Sequence, residues 1–211
     1  MKLYDTKLAP NPRRVRIFMA EKGIDCESEE INIVEGENLS AKFLSINPRG
    51  VLPTLVLDDG TTLDESIAIC RYFEETHPEP RLMGTDPLSK AHIEARQRHM
   101  ELDGLMSAAE AFRNSFPGFA KRGLPGNIGP YPAIPELAER GKARLLHFYG
   151  MLNEHLAGHK FVAGDNYSIA DITALCAIDF AAGAARSPYP EKHEELRRWH
   201  QDVSSRPSSQ A

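Results

Sequence analysis

Residues Asn47 to Ile69 read NPRGVLPTLVLDDGTTLDESIAI, and the fold turns on how this stretch is interpreted. Asn47-Pro48-Arg49-Gly50 is a turn, and Pro53 stands at the entrance of the apolar alternation Thr54-Leu55-Val56-Leu57. Asp58-Asp59-Gly60 is a tight hairpin turn, because glycine supplies positive φ and aspartate tolerates it. Thr61-Thr62-Leu63 is the return strand, and Asp64-Glu65-Ser66 opens a helix. Proline cannot donate to a sheet ladder, so Pro53 belongs at a strand start. If its peptide bond is cis, Leu52 turns its N–H and C=O outward, available to an extended peptide. A hydroxyl and free amides at the helix start that follows make a socket for a carboxylate. One stretch thus offers a peptide edge and an anion site side by side.

The order N-P-x-G-x-x-P-T-L, hairpin, E-S-x-A-I resembles the glutathione-binding half of the glutathione S-transferase family. The resemblance implies a thioredoxin-like fold, a cis Pro53, and a Glu65-Ser66 pair that holds the γ-glutamyl end of glutathione. It extends to FVAGDNYSIADIT, Phe161 to Thr173, where Ser168 and Asp171 form a capping box ahead of an apolar helix, and to the closing RRWHQDVSSRPS. Asp171 is read as serving folding and not chemistry. The alternative for the central stretch is a thioredoxin-like domain whose hairpin binds nothing.

Composition narrows the setting. A length of 211 residues, 41% of them hydrophobic, accommodates one large domain or two small ones. A net charge of −5 argues against nucleic acid or an anionic membrane as the main partner. No apolar run approaches a membrane span, and MKLYDTKLAP lacks a signal-peptide core. Cys26, Cys70 and Cys176 form no CxxC pair, which points to a reducing, cytoplasmic compartment.

Along the chain, Lys2 to Thr6 reads as a strand and Arg13 to Lys22 as a helix stopped by Gly23, with Asn11 as N-cap and Pro12 at N1. Glu27 to Ile33 is a charged edge strand and Ser40 to Ile46 a short helix; the hairpin and a helix over Glu65 to Thr76 complete a βαβαββα order with a mixed four-stranded sheet. Residues 1–79 form this α/β thioredoxin-like domain, 80–87 a linker and 88–211 an all-helical bundle. In the second half, Leu88 to Ser115, Glu136 to Leu156, Ile169 to Ala185 and Glu191 to Ser204 have helical spacing. Phe116 to Pro135 is a long Gly/Pro-rich loop, unusual unless it serves a site, and the tail from Arg206 is expected to be loose.

The family's chemistry requires a glutathione thiolate. A free thiol has a pKa near 8.5, and lowering it by about two units needs roughly 2.7 kcal/mol. A helix N-terminus gives about 0.3–1 kcal/mol, at best about 2, so a donor beside it is needed. The family's usual tyrosine, serine and cysteine are absent: Asp5, Ala9 and Asn11 fall at or near those positions, and Tyr4 alternates to the other face of its strand. Pro10 and Pro12 lack an N–H, which leaves Asn11, by its main-chain or side-chain amide, and the Arg13 amide. Asn11 is read as the activator; otherwise it only caps, and His99, Ser107 or a held water does the work.

By the resemblance, Ser66 bonds the γ-glutamyl carboxylate, Glu65 faces the ammonium, Leu52 with Pro53 takes the cysteinyl unit, and Asn38 reaches the glycine end. Arg13, Arg14 and Arg16 are read as a solvated or subunit-facing surface, with attraction of anionic glutathione as a second role. The electrophile pocket is expected between the domains beside Leu8, walled by Met106, Phe112, Phe116 and Phe119. No metal is expected, since Gly158 interrupts His155 and His159 and no third ligand is near.

The implied protein is a homodimeric glutathione S-transferase of an atypical branch, which conjugates the thiolate to small hydrophobic electrophiles. Glutathione-dependent reduction, isomerisation or dehalogenation is the second reading, and a non-catalytic glutathione-binding module is the third.

Overall fold

The computed structural model describes residues 1–211. Its sheet has four strands, β1 (Lys2–Asp5), β2 (Glu27–Glu30), β3 (Thr54–Val56) and β4 (Thr62–Asp64), in the order β2-β1-β3-β4. β1 runs parallel to β2 and antiparallel to β3, and β3 to β4 is the expected hairpin. Leu3 lies opposite Leu55, and Leu55 opposite Leu63, so one register places these leucines on a common face. That face joins Val15, Phe18, Ile69 and Phe73 in the core. Tyr4 alternates to the other face, where its ring meets Phe43 edge-on at 5.9 Å. The charged β2 is an outer strand, with Glu27 and Glu29 paired to Lys2.

Helix α1 spans Pro10–Glu21, three residues earlier than expected, with Ala9 as its N-cap. Both prolines fit the first turn, where a missing N–H costs no hydrogen bond. Asn11 is therefore a residue of the first turn and not its cap, which corrects the expected capping role. Gly23, at φ +63°, follows the helix as expected. Short α2 (Ala41–Leu44) and α3 (Ser66–Thr76) complete the predicted order.

Beyond them lie α4 (Pro87–His99), a π-helical turn (Met100–Leu105), α5 (Met106–Arg113), α6 (Pro135–Leu156), α7 (Ile169–Gly183) and α8 (Glu194–Ser204). At the π-helical turn, a Cβ on Gly104 would lie 2.7 Å from the Phe148 ring, so glycine permits the close approach of α6. α7 is buried from Ile169 to Ile178 and has no polar stripe. Its start is the capping box: Ser168 Oγ accepts from the Ala170 amide, and the Asp171 carboxylate accepts from Ser168. Asp171 also accepts from the Val162 amide at 2.9 Å and from Trp199 Nε1 at 2.8 Å, joining α7 to α8 and the preceding loop.

Residues 77–86 carry no helix or strand, yet buried groups pin them. Lys22 Nζ pairs with Glu74 at 2.7 Å and donates to the carbonyls of His77 and Pro80. Glu74 also accepts from the amides of Leu82 and Met83. Removing one partner strands the other charge, so Lys22→Met is expected to cost about 3–5 kcal/mol, measured by urea unfolding. A loss below about 1 kcal/mol would show that water reaches Glu74.

The tail corrects the expectation of a loose end. Residues Pro207–Gln210 form a 3₁₀ turn with Ser208 and Ser209 buried. Arg206 clasps Glu21 of α1 at 2.7 and 2.8 Å, and Arg13 donates to the Ser209 carbonyl at 3.1 Å. The attachment is polar, which hydrophobic periodicity does not register. No helix is long and apolar enough to cross a membrane.

Candidate active site

The start of α1 has few free donors. Pro10 and Pro12 have none, and the Arg13 amide bonds to the Ala9 carbonyl at 3.4 Å, which leaves the Asn11 amide without a partner in the chain. The Asn11 side chain is oriented by Arg14, whose Nη2 donates to Asn11 Oδ1 at 2.6 Å. Its NH₂ group donates to nothing in the chain and is polarised by the guanidinium behind it.

Arg14 is the unexpected member. It is 1% exposed, against the reading of a solvated arginine cluster. The same Nη2 donates to Ser66 Oγ at 2.7 Å and pairs with Glu101 at 3.1 Å, while Nε and Nη1 are buried without partners. Arg13 and Arg16 are likewise engaged, with Asp179 at 2.6 Å and Asp5 at 2.7 Å. The signal was present in helical spacing: Arg14 shares a face with Ile17 and Phe18, both fully buried.

Ser66 opens α3 and is buried, and its hydroxyl oxygen accepts from Arg14, so its proton is available to another acceptor. Ser66, Ile67 and Ala68 supply the first-turn amides of α3, which have no acceptor within the helix itself. Glu65 precedes them at φ +70°, a left-handed conformation for a non-glycine residue. Such strain, about 1–3 kcal/mol, concentrates at functional sites. Its carboxylate is held at 2.7 Å by Arg49, an exposed pair. The Leu52-Pro53 bond is cis, and neither the amide nor the carbonyl of Leu52 has a partner in the chain.

The long loop between α5 and α6 is laid over this segment. The Asn127 amide donates to the Arg49 carbonyl at 2.7 Å, and Arg122 donates to the Ile33 carbonyl at 2.9 Å. Gly126 is necessary here, because at φ +80° a Cβ would stand 2.6 Å from the Arg49 oxygen.

Comparison with known proteins identifies the family. Residues 9–76 match the model of the glutathione S-transferase N-terminal domain, and 126–207 that of the C-terminal domain. Glutathione S-transferase 2 of Saccharomyces cerevisiae is 34% identical over 99% of this chain and 87% of that protein. The chain belongs to the glutathione S-transferase family. The crystal structure of Gtt2 from Saccharomyces cerevisiae superposes with a TM-score of 0.89 over 100% of this chain and 99% of that one, at 34% identity. A class Gtt2 glutathione S-transferase of Vibrio parahaemolyticus gives 0.83 over 100% and 96%, at 35% identity. A maleylacetoacetate isomerase of Rattus norvegicus is 32% identical over 84% of this chain and 77% of that protein.

The expected thioredoxin-like sheet with its helical second half is thus the glutathione S-transferase fold. Within it, the structure joins Asn11 to Ser66 through one nitrogen of Arg14. Asn38 is buried beneath, with Nδ2 donating to the Gly50 carbonyl at 2.7 Å and Oδ1 unpartnered. Asn38 thus braces the turn before Leu52, and the second N–H of its NH₂ group has no partner in the chain. Phe112 stacks on Phe116 at 5.1 Å and meets Phe119 and Phe180 at 5.5 and 5.2 Å. Met106 and Leu8, both expected at the electrophile pocket, are 54% and 63% exposed. Ser107 is fully buried on α5 with its hydroxyl unpartnered, while His99 is exposed. Burial pushes the thiols of Cys70 and Cys176 up to about 12 and about 11, away from nucleophilic use.

Proposed function

We propose that this chain is a glutathione transferase which holds the tripeptide as thiolate and adds it to small hydrophobic electrophiles. The observation that carries the reading is the single Arg14 nitrogen serving both Asn11 and Ser66. Ser66, already accepting from Arg14, has its proton to donate to the γ-glutamyl carboxylate, beside the first-turn amides of α3. Glu65 faces the ammonium with its second oxygen, and Leu52 with Pro53 aligns the cysteinyl unit as an added strand. Asn11 then donates from its NH₂ to the sulfur. A hydrogen bond to a charged partner supplies about 1.5–3 kcal/mol, which with the helix start covers the roughly 2.7 kcal/mol of a two-unit shift.

Leu8 and Phe112 remain the proposed lining for the electrophile. Met106, with exposed Leu102, Leu146 and Met151, fits a subunit contact better, and a homodimer belongs to this proposal. A cytoplasmic setting fits the three free cysteines. Isomerisation on the same site is the second reading, favoured by the likeness to the rat isomerase.

Titrating the enzyme-bound thiol by thiolate absorbance tests the reading. A bound pKa near 6.5, about two units below the free thiol, is expected; an unshifted value would leave only a binding module. Asn11→Ala is expected to raise that pKa by about one unit or more and to lower kcat/KM about tenfold or more. Full activity in this variant would transfer the role to another donor and leave the family and the glutathione site standing.

A further inference from the structure

Two arginines beside the aromatic cluster have no carboxylate. Arg113 and Arg122 each place Cζ 4.9 Å from the centre of the Phe119 ring. Arg113 donates one N–H to the Arg122 carbonyl at 3.0 Å, and Arg122 one to the Ile33 carbonyl at 2.9 Å; most of their ten N–H donors remain free. By contrast, Arg13, Arg14, Arg16 and Arg206 each meet an acid. Burial and then the neighbouring Arg122 push Arg113 down to about 10, and burial lowers Arg122 too, yet a guanidinium keeps its charge at neutral pH. Two half-buried like charges gathered around one ring are unfavourable unless an anion joins them.

Their position relates them to the chemistry. Phe119 packs on Phe112 and Phe116, and Phe112 on Phe180, which follows the Asp179 that holds Arg13 at the start of α1. The same loop continues to Asn127, bonded to the Arg49 carbonyl just ahead of Leu52-Pro53. A chain of ring contacts thus links the arginine pair to the residues that hold the start of α1.

We propose that Arg113 and Arg122 receive a carboxylate carried by the electrophile, whose flat body lies on the phenylalanine cluster. The inference rests on the transferase reading and deepens it: the favoured co-substrates are anionic aromatic electrophiles. In a suitable probe reaction the glutathione sulfur attacks the chlorine-bearing carbon of 4-chloro-3-nitrobenzoate. The C–S bond forms, chloride leaves with the C–Cl pair, and the thiol proton passes to solvent.

The test compares kcat/KM for this acid with that for its methyl ester, in the wild type and in Arg113→Gln and Arg122→Gln. Taking the ratio removes the ester's different intrinsic reactivity. The acid-to-ester ratio is expected to fall about tenfold in each variant, the scale of a charge-assisted hydrogen bond, with KM for glutathione little changed. An unchanged ratio overturns the inference. So does an unchanged ratio with a raised KM for glutathione, which would give the arginines to the glycine carboxylate instead. Should the variants fail to fold, calorimetry on the wild type decides: benzoate binds and benzamide does not if the site exists, and equal behaviour overturns it. Conjugation of neither probe together with an unshifted bound thiol defeats the transferase reading instead, and the benzoate–benzamide comparison still tests the arginine pair.

Discussion

Arg14→Met is expected to fold normally and to lose most of its affinity for glutathione. Methionine fills a similar volume, and the change removes two buried nitrogens that have no partner. Glu101 keeps its ion pair with Arg98, so no acid is stranded. Removing one partner of a buried pair is costly when the other charge is left alone, but here Arg98 and contact with solvent keep Glu101 compensated. Function should suffer, because Asn11 and Ser66 lose the nitrogen that orients them both. One or two charge-assisted hydrogen bonds correspond to a loss of about 10–100-fold in glutathione affinity. Calorimetric titration and thermal melting of the same sample separate the two effects. Unchanged affinity would remove Arg14 from the site, and a collapse in melting temperature would make it a folding residue.

Asp171→Ala should abolish stable folding. Its carboxylate serves the Val162 amide, the amide and hydroxyl of Ser168, and the Trp199 indole. Stranding these buried donors costs about 1–3 kcal/mol each, comparable in sum with the roughly 5–15 kcal/mol that holds a typical domain. In the native protein, burial outweighs those donors and pushes Asp171 up to about 6. The folded state therefore binds this proton more tightly than the unfolded state does. The contribution is complete below the ordinary carboxylate range near pH 4, falls as pH rises to about 6, and is flat above. Ion-paired Glu21 and Asp179, held low by Arg206 with Ser208 and by His200 with Arg13, act in the opposite sense. The difference in urea stability between the wild type and Asp171→Asn, followed from pH 4 to 7, isolates the Asp171 part. A difference that does not vary with pH would show that the carboxyl titrates normally.

Much of the fold was legible because local chemistry and global packing agree at particular residues. Pro53 can only begin a strand, Gly60 supplies the turn, and Ser168 with Asp171 starts α7. The start of α1 was misplaced because two prolines two residues apart fit equally well in a first turn, and Asn11 between them looked like a cap. Arg14 escaped because a charged residue at a helix start is usually solvated, and its partners Ser66 and Glu101 lie 52 and 87 positions away. Periodicity reports which face is buried but not which distant oxygen awaits a guanidinium there. The Gly/Pro-rich composition marked the loop between α5 and α6, but its resting place against Arg49 depends on main-chain bonds that any sequence could make.

The clasp between the tail and α1 has a practical bearing on how the protein is handled. Arg206 and Ser208 grip Glu21, and Arg13 reaches the Ser209 carbonyl, on the very helix that carries Asn11 and Arg14. An affinity handle fused behind Ala211 would pull on α1, whereas Met1 pairs with the exposed Asp58 on the sheet side. Tagging, immobilisation and fluorescent labelling are best done from the amino-terminal end.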